Sequence, residues 1–385
     1  MPDTGLAADI VILGAGPVGM ALARALQDSP LRVLLVDARP RGAWATDPRA
    51  LAIAHGSQQV LQRIDCWNPS HASAIGEIHV SQQGGFGRTL IQACDYQLPA
   101  LGYVTRYHHL AEALDASLGD TQFLAPCRVD SIAPAADAIR LTLHHHGNPL
   151  PVTTKLLIHA EGTPHDDQAI CKHDYRQHAI VAEVMPAQRH DNRAWERFTP
   201  DGPLALLPLE NAYSLVMTVP ADRADRLLSL TDQQFIDTLR QRFAGRLDFT
   251  SINPRAAFPL ALRLRKTLAQ DRQIWIGNAA QTLHPVTGQG FNLGLRDAWQ
   301  LAEHLKEHRS SDPGDPALLA AYAGGRQPDR LIGAGLTDGF VRLFSNDILP
   351  LRVARGLGLL ALDLAPTLRH LVAHQMISGT RAAPR

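Results

Sequence analysis

The chain has 385 residues, 45% hydrophobic and 19% charged, ordinary values for a globular protein of one large or two medium domains. Its 37 basic residues balance 37 acidic ones, which excludes a nucleic-acid binder of the general basic-surface kind. Four scattered cysteines, Cys66, Cys94, Cys127 and Cys171, show neither C-x-x-C nor zinc spacing, so a reducing compartment is expected and a disulfide framework is not.

The opening MPDTGLAADIVILGAG has no basic stretch followed by a long apolar core, and no cleaved leader is expected. Asp9 to Leu13 reads as a buried strand, and Gly14-Ala15-Gly16-Pro17-Val18-Gly19 fits G-x-G-x-x-G. Met20 to Gln27 reads as a helix of small residues, and Arg32 to Val36 as a second strand ending at Asp37. Each part has a duty in binding a dinucleotide. Gly14 permits the tight turn, Gly16 lets the backbone approach a pyrophosphate, and Gly19 lets the helix lie against the strand. The helix N-terminus offers unpaired N–H groups and a positive dipole end to phosphate. Asp37 can accept hydrogen bonds from a ribose diol. A glycine-rich turn in an unrelated α/β domain is the alternative. The motif's place at the chain start, with no second fingerprint later, favours FAD over NAD, but the motif alone does not decide it.

Arg49 lies in TDPRALAIAHGSQQVLQRI, a loop entering a helix, where a surface arginine is the plain alternative. Glu77 to Ala93 reads as two short strands around a glycine-rich turn. Arg106 precedes an amphipathic helix. Antiparallel strands follow, with His144-His145-His146 at a tip before Gly147-Asn148. Adjacent histidines on a strand face opposite ways, so a solvated hairpin is expected there and no metal site. A buried strand then runs into Glu161-Gly162. Ala179 to Pro220 alternates strand-like runs with turns, and TDQQFIDTLRQRFAGRL reads as a helix capped by Thr231.

The stretch GNAAQTLHPVTGQGFNLGLRDA, Gly277 to Ala298, follows the apolar run Ile274-Trp275-Ile276 and leads into a helix. Two helices are expected, at about 290–306 and 316–337, then a helical tail apolar on more than one face. No run of about eighteen apolar residues occurs, so the protein is expected to be cytoplasmic and at most peripheral to a membrane. The expected fold class is α/β. A discontinuous Rossmann-like FAD-binding domain takes residues 1–75, 100–178 and 268–345. A smaller sheet-rich substrate domain takes 76–99 and 179–267, and a C-terminal helical segment 346–385.

Three landmarks stand in order: G-x-G-x-x-G at Gly14, Glu161-Gly162, and the stretch from Gly277. With them come Arg49, Arg106 and the runs DPRALAIAHGS, RFTPDGPLALLPL and YAGGRQPDR. Over nearly its whole length the chain resembles the single-component FAD-dependent aromatic hydroxylases of the para-hydroxybenzoate hydroxylase type. Within them it is most similar to the ubiquinone-biosynthesis branch, of the kind acting on 2-polyprenyl-6-methoxyphenol. The wider family begins the last motif with Gly-Asp; that branch carries Gly-Asn, as here at Asn278. The middle motif is normally Asp-Gly followed by Ser and Arg. Here Glu161 replaces the aspartate and no arginine follows nearby, so a nicotinamide-handling role is not carried over.

The resemblance implies a monooxygenase using FAD, O2 and a reductant, with NAD(P)H the expected donor, that hydroxylates a phenol through a C4a-hydroperoxyflavin. Cofactor contacts are expected at Gly14, Gly16, Gly19, Asp37, Arg49, Arg106, Glu161, Gly162, Asn278, His284, Pro285, Gly288, Gln289, Gly290 and Asn292. The backbone of Gly288 to Asn292, ahead of a helix, is placed to stabilise negative charge on a reduced flavin. His284 and Pro285 would shape the loop beside the ring; His284 is read as a loop residue, not a base. No catalytic side chain and no metal is assigned. The implied partners are a lipophilic polyprenyl phenol, other ubiquinone-biosynthesis proteins and the inner membrane surface, and no nucleic acid. The alternatives are a hydroxylase of another ring position or another aromatic, and a non-catalytic FAD-binding subunit of a quinone-biosynthesis complex.

Overall fold

The computed structural model describes residues 6–164, 167–308, 312–344, 349–367, 369, 370 and 373. Strands among these residues form sheets of eight, nine and three. At the centre of the first lies Leu6–Leu13, parallel to Val33–Val36 on one side and to Asn148–His159 on the other. A central parallel strand is covered on both faces, which is why Ile10, Val11 and Ile12 form an unbroken apolar run. Ile10 and Ile12 pack on the helices Pro17–Ala25, Tyr107–Ala116 and Gln289–Glu307. Val11 and Leu13 pack on an antiparallel meander, Cys127–Pro134, Ile139–His145 and the start of Asn148–His159. Leu13 pairs with Val36 and with His159, so three strands end level with one another. The chain leaves the central strand toward one neighbour and returns on the other side, and a crevice for a dinucleotide opens where the order reverses.

The nine-stranded sheet is built from Glu77–Gln82 and Arg88–Gln92, the strands between 170 and 265, and Gln281–Thr282. One face packs on the helices Ala221–Leu228 and Asp232–Arg242. The second of these starts with a reciprocal cap: Gln234 N–H donates to Thr231 Oγ1 at 3.3 Å, and Thr231 N–H to Gln234 Oε1 at 3.0 Å. The expected boundary between 178 and 179 falls inside one strand, Ile170–Pro186. Its first half is polar, and its pairing shifts register between Asp174 and Gln177, beside Arg176 at φ 53°. That bulge breaks the alternation a strand needs to be visible in sequence. The three histidines lie where expected, at a hairpin turned by His146 and Gly147 at φ 50° and 81°.

The expected helices after the Gly277 stretch are Gln289–Glu307 and Pro316–Phe344, and the tail contributes Leu349–Leu364. No helix among the described residues is long and apolar enough to cross a membrane. The tail helix lies over the Arg88–Gln92 strand, where Thr89 Oγ1 donates to the Leu359 carbonyl at 2.7 Å. Its approach is close: a Cβ on Gly356 would stand 2.8 Å from the Phe86 carbonyl.

A buried charge network joins these helices to the Gly277 turn. Asp297 Oδ2 accepts the Gly277 N–H at 3.0 Å and Gln281 Nε2 at 2.6 Å, while Oδ1 accepts Arg326 Nε at 2.8 Å. Arg326 also meets Asp329 at 3.0 Å, and Asp329 meets Arg296 at 3.2 Å. Burial works against the charge on Arg326, yet Asp297 and its other neighbours raise its pKa on balance. Breaking one side of such a pair leaves an uncompensated buried charge. Arg326→Leu is therefore expected to cost about 3–5 kcal/mol, read as a lower urea midpoint, and adding Asp297→Asn should recover part of the loss.

Candidate cofactor and substrate site

The glycine-rich loop sits at the C-terminal ends of the central strands. Gly14 turns at φ 99°, and a Cβ there would lie 2.5 Å from the Ala160 carbonyl oxygen. A Cβ on Gly19 would overlap the Gly14 carbonyl. Both glycines are required by the protein itself. Gly16 is different: the only described atom within 4 Å of a Cβ there is the Tyr107 hydroxyl, at 3.7 Å. The space above Gly16 is open. The first helical bond after it is Met20 N–H to the Gly16 carbonyl at 3.0 Å, so the preceding N–H groups face that space unbonded within the helix.

Asp37 ends the second strand, as expected, and is buried. Its Oδ2 accepts the Ala15 N–H at 2.8 Å and its Oδ1 the Arg39 N–H at 2.7 Å. The carboxylate thus shapes the loop as well as standing at its mouth. Arg49 lies at the same mouth, paired with Asp47 at 2.6 Å and stacked 4.9 Å over the Tyr107 ring. Its hydrogen bond to Asp47 raises its pKa, so the guanidinium stays charged beside the open loop. Arg39 and Tyr107 were not singled out in the sequence; their only signal is proximity to Asp37 and Arg106.

Other predicted residues take different places. Arg106 turns away from the loop: its guanidinium binds Glu183, and its Nε meets Glu210 at 3.1 Å, bridging to the nine-stranded sheet. Hydrogen bonds to Glu210 and Glu183 raise its pKa further. Sequence could not foresee two carboxylates arriving from a strand and a turn about 80 and 100 residues on. Glu161 supports the loop with its backbone, which abuts Gly14, while its side chain is exposed and meets His159 at 3.1 Å. Gly162 turns at φ 95° with open space around it. Asn278 is exposed, and its carbonyl accepts Thr282 Oγ1 at 3.3 Å.

His284 is buried and caps the turn Pro285–Thr287, its Nδ1 accepting the Val286 N–H at 3.1 Å. The ring proton therefore sits on Nε2, which has no partner among the described residues. Gly288 follows at φ 60° and starts the helix Gln289–Glu307, and nothing lies within 4 Å of a Cβ built on Gly290. Asn292 is committed to the fold. Its amide oxygen accepts the Ala54 N–H at 2.8 Å, and its NH2 donates to the Ala52 and Gly288 carbonyls at 2.9 and 2.7 Å. It clasps the strand Ala50–Ala54 to the helix start and also lines the cavity described next.

Beyond this turn lies an apolar cavity of about 240 Å³. Pro285, Val286, Gly288 and Gln289 form one wall, Ala52 to Ala54 a second, and the nine-stranded sheet a third. Phe340, Leu359 and Leu362 of the last two helices close it. Glu196 is the one ionisable side chain among the described residues lining it. Sequence reasoning missed this residue. In AWERFT the period of two puts Glu196 with Ala194 and Phe198, but both faces of the sheet are buried, so the pattern does not say which faces a ligand.

The arrangement fits FAD. The open space above Gly16 would admit a pyrophosphate, Arg39 and Arg49 would complement its charge, and the Pro285–Gln289 backbone borders an apolar space that would admit a flat ring. The family described as FAD binding domain matches residues 7–330. Ubiquinone hydroxylase UbiL of Rhodospirillum rubrum is 35% identical over 396 residues, 97% of this chain and 91% of that protein. The 3-demethoxyubiquinol 3-hydroxylase of Escherichia coli is 28% identical over 383 residues, 94% of this chain and 96% of that protein. Among solved structures, p-nitrophenol 4-monooxygenase PnpA of Pseudomonas putida shares the fold with a TM-score of 0.77 at 14% identity, covering 98% of this chain and all of that one. The likeness to that structure shows a fold of the para-hydroxybenzoate hydroxylase-like class. Within that class the chain belongs to the FAD-dependent hydroxylases of ubiquinone biosynthesis.

Two measurements probe this geometry. Gly16→Val should leave a folded apoprotein, seen by circular dichroism, that no longer retains FAD; Gly19→Val should fail to fold at all. Normal FAD content in the Gly16 variant would overturn its assignment. The second concerns acid stability. Burial pushes His284 down from 6.5 to about 4. Between those values the unfolded chain binds a proton that the folded chain refuses, so stability present at pH 7 is lost as pH falls. The expected loss from pH 7 to pH 5 is about 2 kcal/mol by urea unfolding. His284→Asn, which keeps a capping acceptor, should remove that share of the pH dependence.

Proposed function

We propose that the protein hydroxylates a polyprenyl phenol of the 2-polyprenyl-6-methoxyphenol type on the way to ubiquinone, using bound FAD, O2 and NAD(P)H. One observation carries the reading: the apolar cavity is bounded jointly by the Pro285–Gln289 turn and by a second sheet. A phenol held there would lie against the flavin ring and away from water. The names of the relatives, hydroxylases of ubiquinone and of 3-demethoxyubiquinol, support a quinone precursor as the substrate class.

Bound reduced flavin supplies the two electrons that turn O2 into an electrophilic oxygen donor. The residues of this chain do the remainder. Open backbone at Gly16 and the cations Arg39 and Arg49 hold the diphosphate. Exposed Asn278, beside a turn fixed by Asp297, offers an amide to the cofactor's polyol chain. The N-terminus of the helix Gln289–Glu307 directs a positive dipole end toward the ring, favouring its anionic reduced form. Ile78, Ile91, Leu207 and Phe340 keep the cavity apolar, which protects a reactive oxygen donor from water.

The substrate tail suggests a seat at the cytoplasmic face of the inner membrane. The outer faces of the last two helices support it. Leu331, Ile332, Leu336 and Leu343 are exposed on one, and Val353, Leu357, Leu360 and Leu364 on the other. Exposed apolar side chains on two packed helices suit contact with lipid. The same helices line the cavity from within through Phe340, Leu359 and Leu362.

The reading is tested with purified holoprotein and a short-chain 2-prenyl-6-methoxyphenol. Phenol-stimulated NAD(P)H oxidation, with a product one oxygen heavier by mass spectrometry, is expected. Cells lacking the protein should accumulate the unhydroxylated precursor. A yellow protein that oxidises NAD(P)H at one rate with or without the phenol, and forms no product, would overturn it.

A further inference from the structure

Across the cavity-facing side of the nine-stranded sheet, five residues stand in one lateral row: Thr89, Val80, Glu196, Ala205 and Val216. Glu196 pairs directly with Val80 on one side and Ala205 on the other. Thr89 already donates its hydroxyl to the Leu359 carbonyl, at 2.7 Å. No donor among the described residues reaches Glu196 Oε1. A carboxyl placed between two aliphatic neighbours, with Oε1 buried and unpartnered among the described residues, is costly to the fold. A valine or leucine there would stabilise it. The position is explained by a ligand group that binds the carboxyl when the cavity is filled.

We propose that Glu196 is the catalytic base that takes the proton of the substrate's phenolic hydroxyl; this rests on the phenol reading above. In the step, the phenol O–H bond breaks and an O–H bond forms on the carboxylate. The electron pair remains on the phenol oxygen and delocalises into the ring, raising electron density at its ortho and para carbons. No oxidation state changes. One negative charge moves from carboxylate to phenolate within the cavity, and the proton returns to the product's oxygen before release. Burial pushes the Glu196 carboxyl up to about 8. Its proton affinity therefore lies much nearer that of a phenol, about 10, than an ordinary glutamate's at about 4.3. Desolvation alone causes that shift, in keeping with the apolar lining. The Pro285–Gln289 turn and the row through Glu196 border one cavity, so the hydroxyl and the flavin would meet the same ring.

The test compares wild type with E196Q, both as holoprotein, using the short-chain 2-prenyl-6-methoxyphenol and a fluorinated analogue of lower phenol pKa. E196Q should keep its FAD content and bind the phenol, yet hydroxylate it at least ~100-fold more slowly. Wild-type hydroxylation should rise with pH as Glu196 ionises, and that rise should be absent in E196Q. The acidic analogue, already ionised in solution, should restore hydroxylation by E196Q to within several-fold of wild type. A purely structural role would not give that rescue. E196Q turning over the ordinary phenol like wild type, or equally slow on both phenols, overturns the proposal alone. A wild type inert toward both phenols overturns the substrate reading and the proposal with it.

Discussion

The site depends on the buried carboxylate of Asp297. One oxygen holds the Gly277 N–H and the Gln281 amide, and the other holds Arg326. Three segments far apart in the chain thereby converge on one atom group: the turn at the end of a sheet strand, the helix that starts at Gln289, and the following helix. Gly277 can stand at φ 58° because its amide has this partner, and the helix can approach closely because Gly294 carries no side chain against Val18. Asn278 and the Pro285–Gln289 turn follow from that anchor. Their position is set by charge pairing one layer behind them.

The first forty residues were nearly transparent in the sequence because their constraints are local. A turn that needs φ 99° at Gly14 and a helix lying on the Gly14 carbonyl at Gly19 exclude side chains whatever the rest of the fold does. The same holds for the Thr231 capping box and the His146-Gly147 turn. What stayed hidden depends on partners distant in sequence. Arg106 carries a charge that suits a diphosphate, but Glu183 and Glu210 arrive beside it only in the folded chain. Asn292 has an amide that suits a flavin, and the Ala50–Ala54 strand also supplies backbone groups that bind it. In both cases residue type was informative and the competing partner was not.

The strand Ile170–Pro186 shows the other way in which pattern fails. It is long enough to serve two neighbourhoods, pairing with Ala256–Arg265 over most of its length and with Ala212–Pro220 only from Gln177 onward. The polar first half faces solvent, the second half is buried, and a bulge separates them. A domain boundary drawn on hydrophobic pattern falls where burial changes. The backbone continues, so the strand links the crevice side of the molecule to the substrate sheet without a hinge between them.

The carboxylates around the crevice divide in an informative way. Asp37 receives the Ala15 and Arg39 N–H groups, Asp47 pairs with Arg49, Asp297 with Arg326, and Glu183 and Glu210 with Arg106. Each is neutralised where it stands, and each has a structural task that explains it. Glu196 lies among aliphatic side chains with Oε1 unpartnered among the described residues, in the wall of the apolar cavity that reaches the Pro285–Gln289 turn. The fold can pair buried charge, as Asp297 and Arg326 demonstrate. The absence of a partner for Glu196 is then a property of the cavity and not of the scaffold. A base flanked by an arginine would be held ionised and weak; one left in apolar surroundings keeps a high proton affinity. The isolation that makes Glu196 expensive to the folded chain is the condition under which a carboxylate can compete with a phenol for its proton.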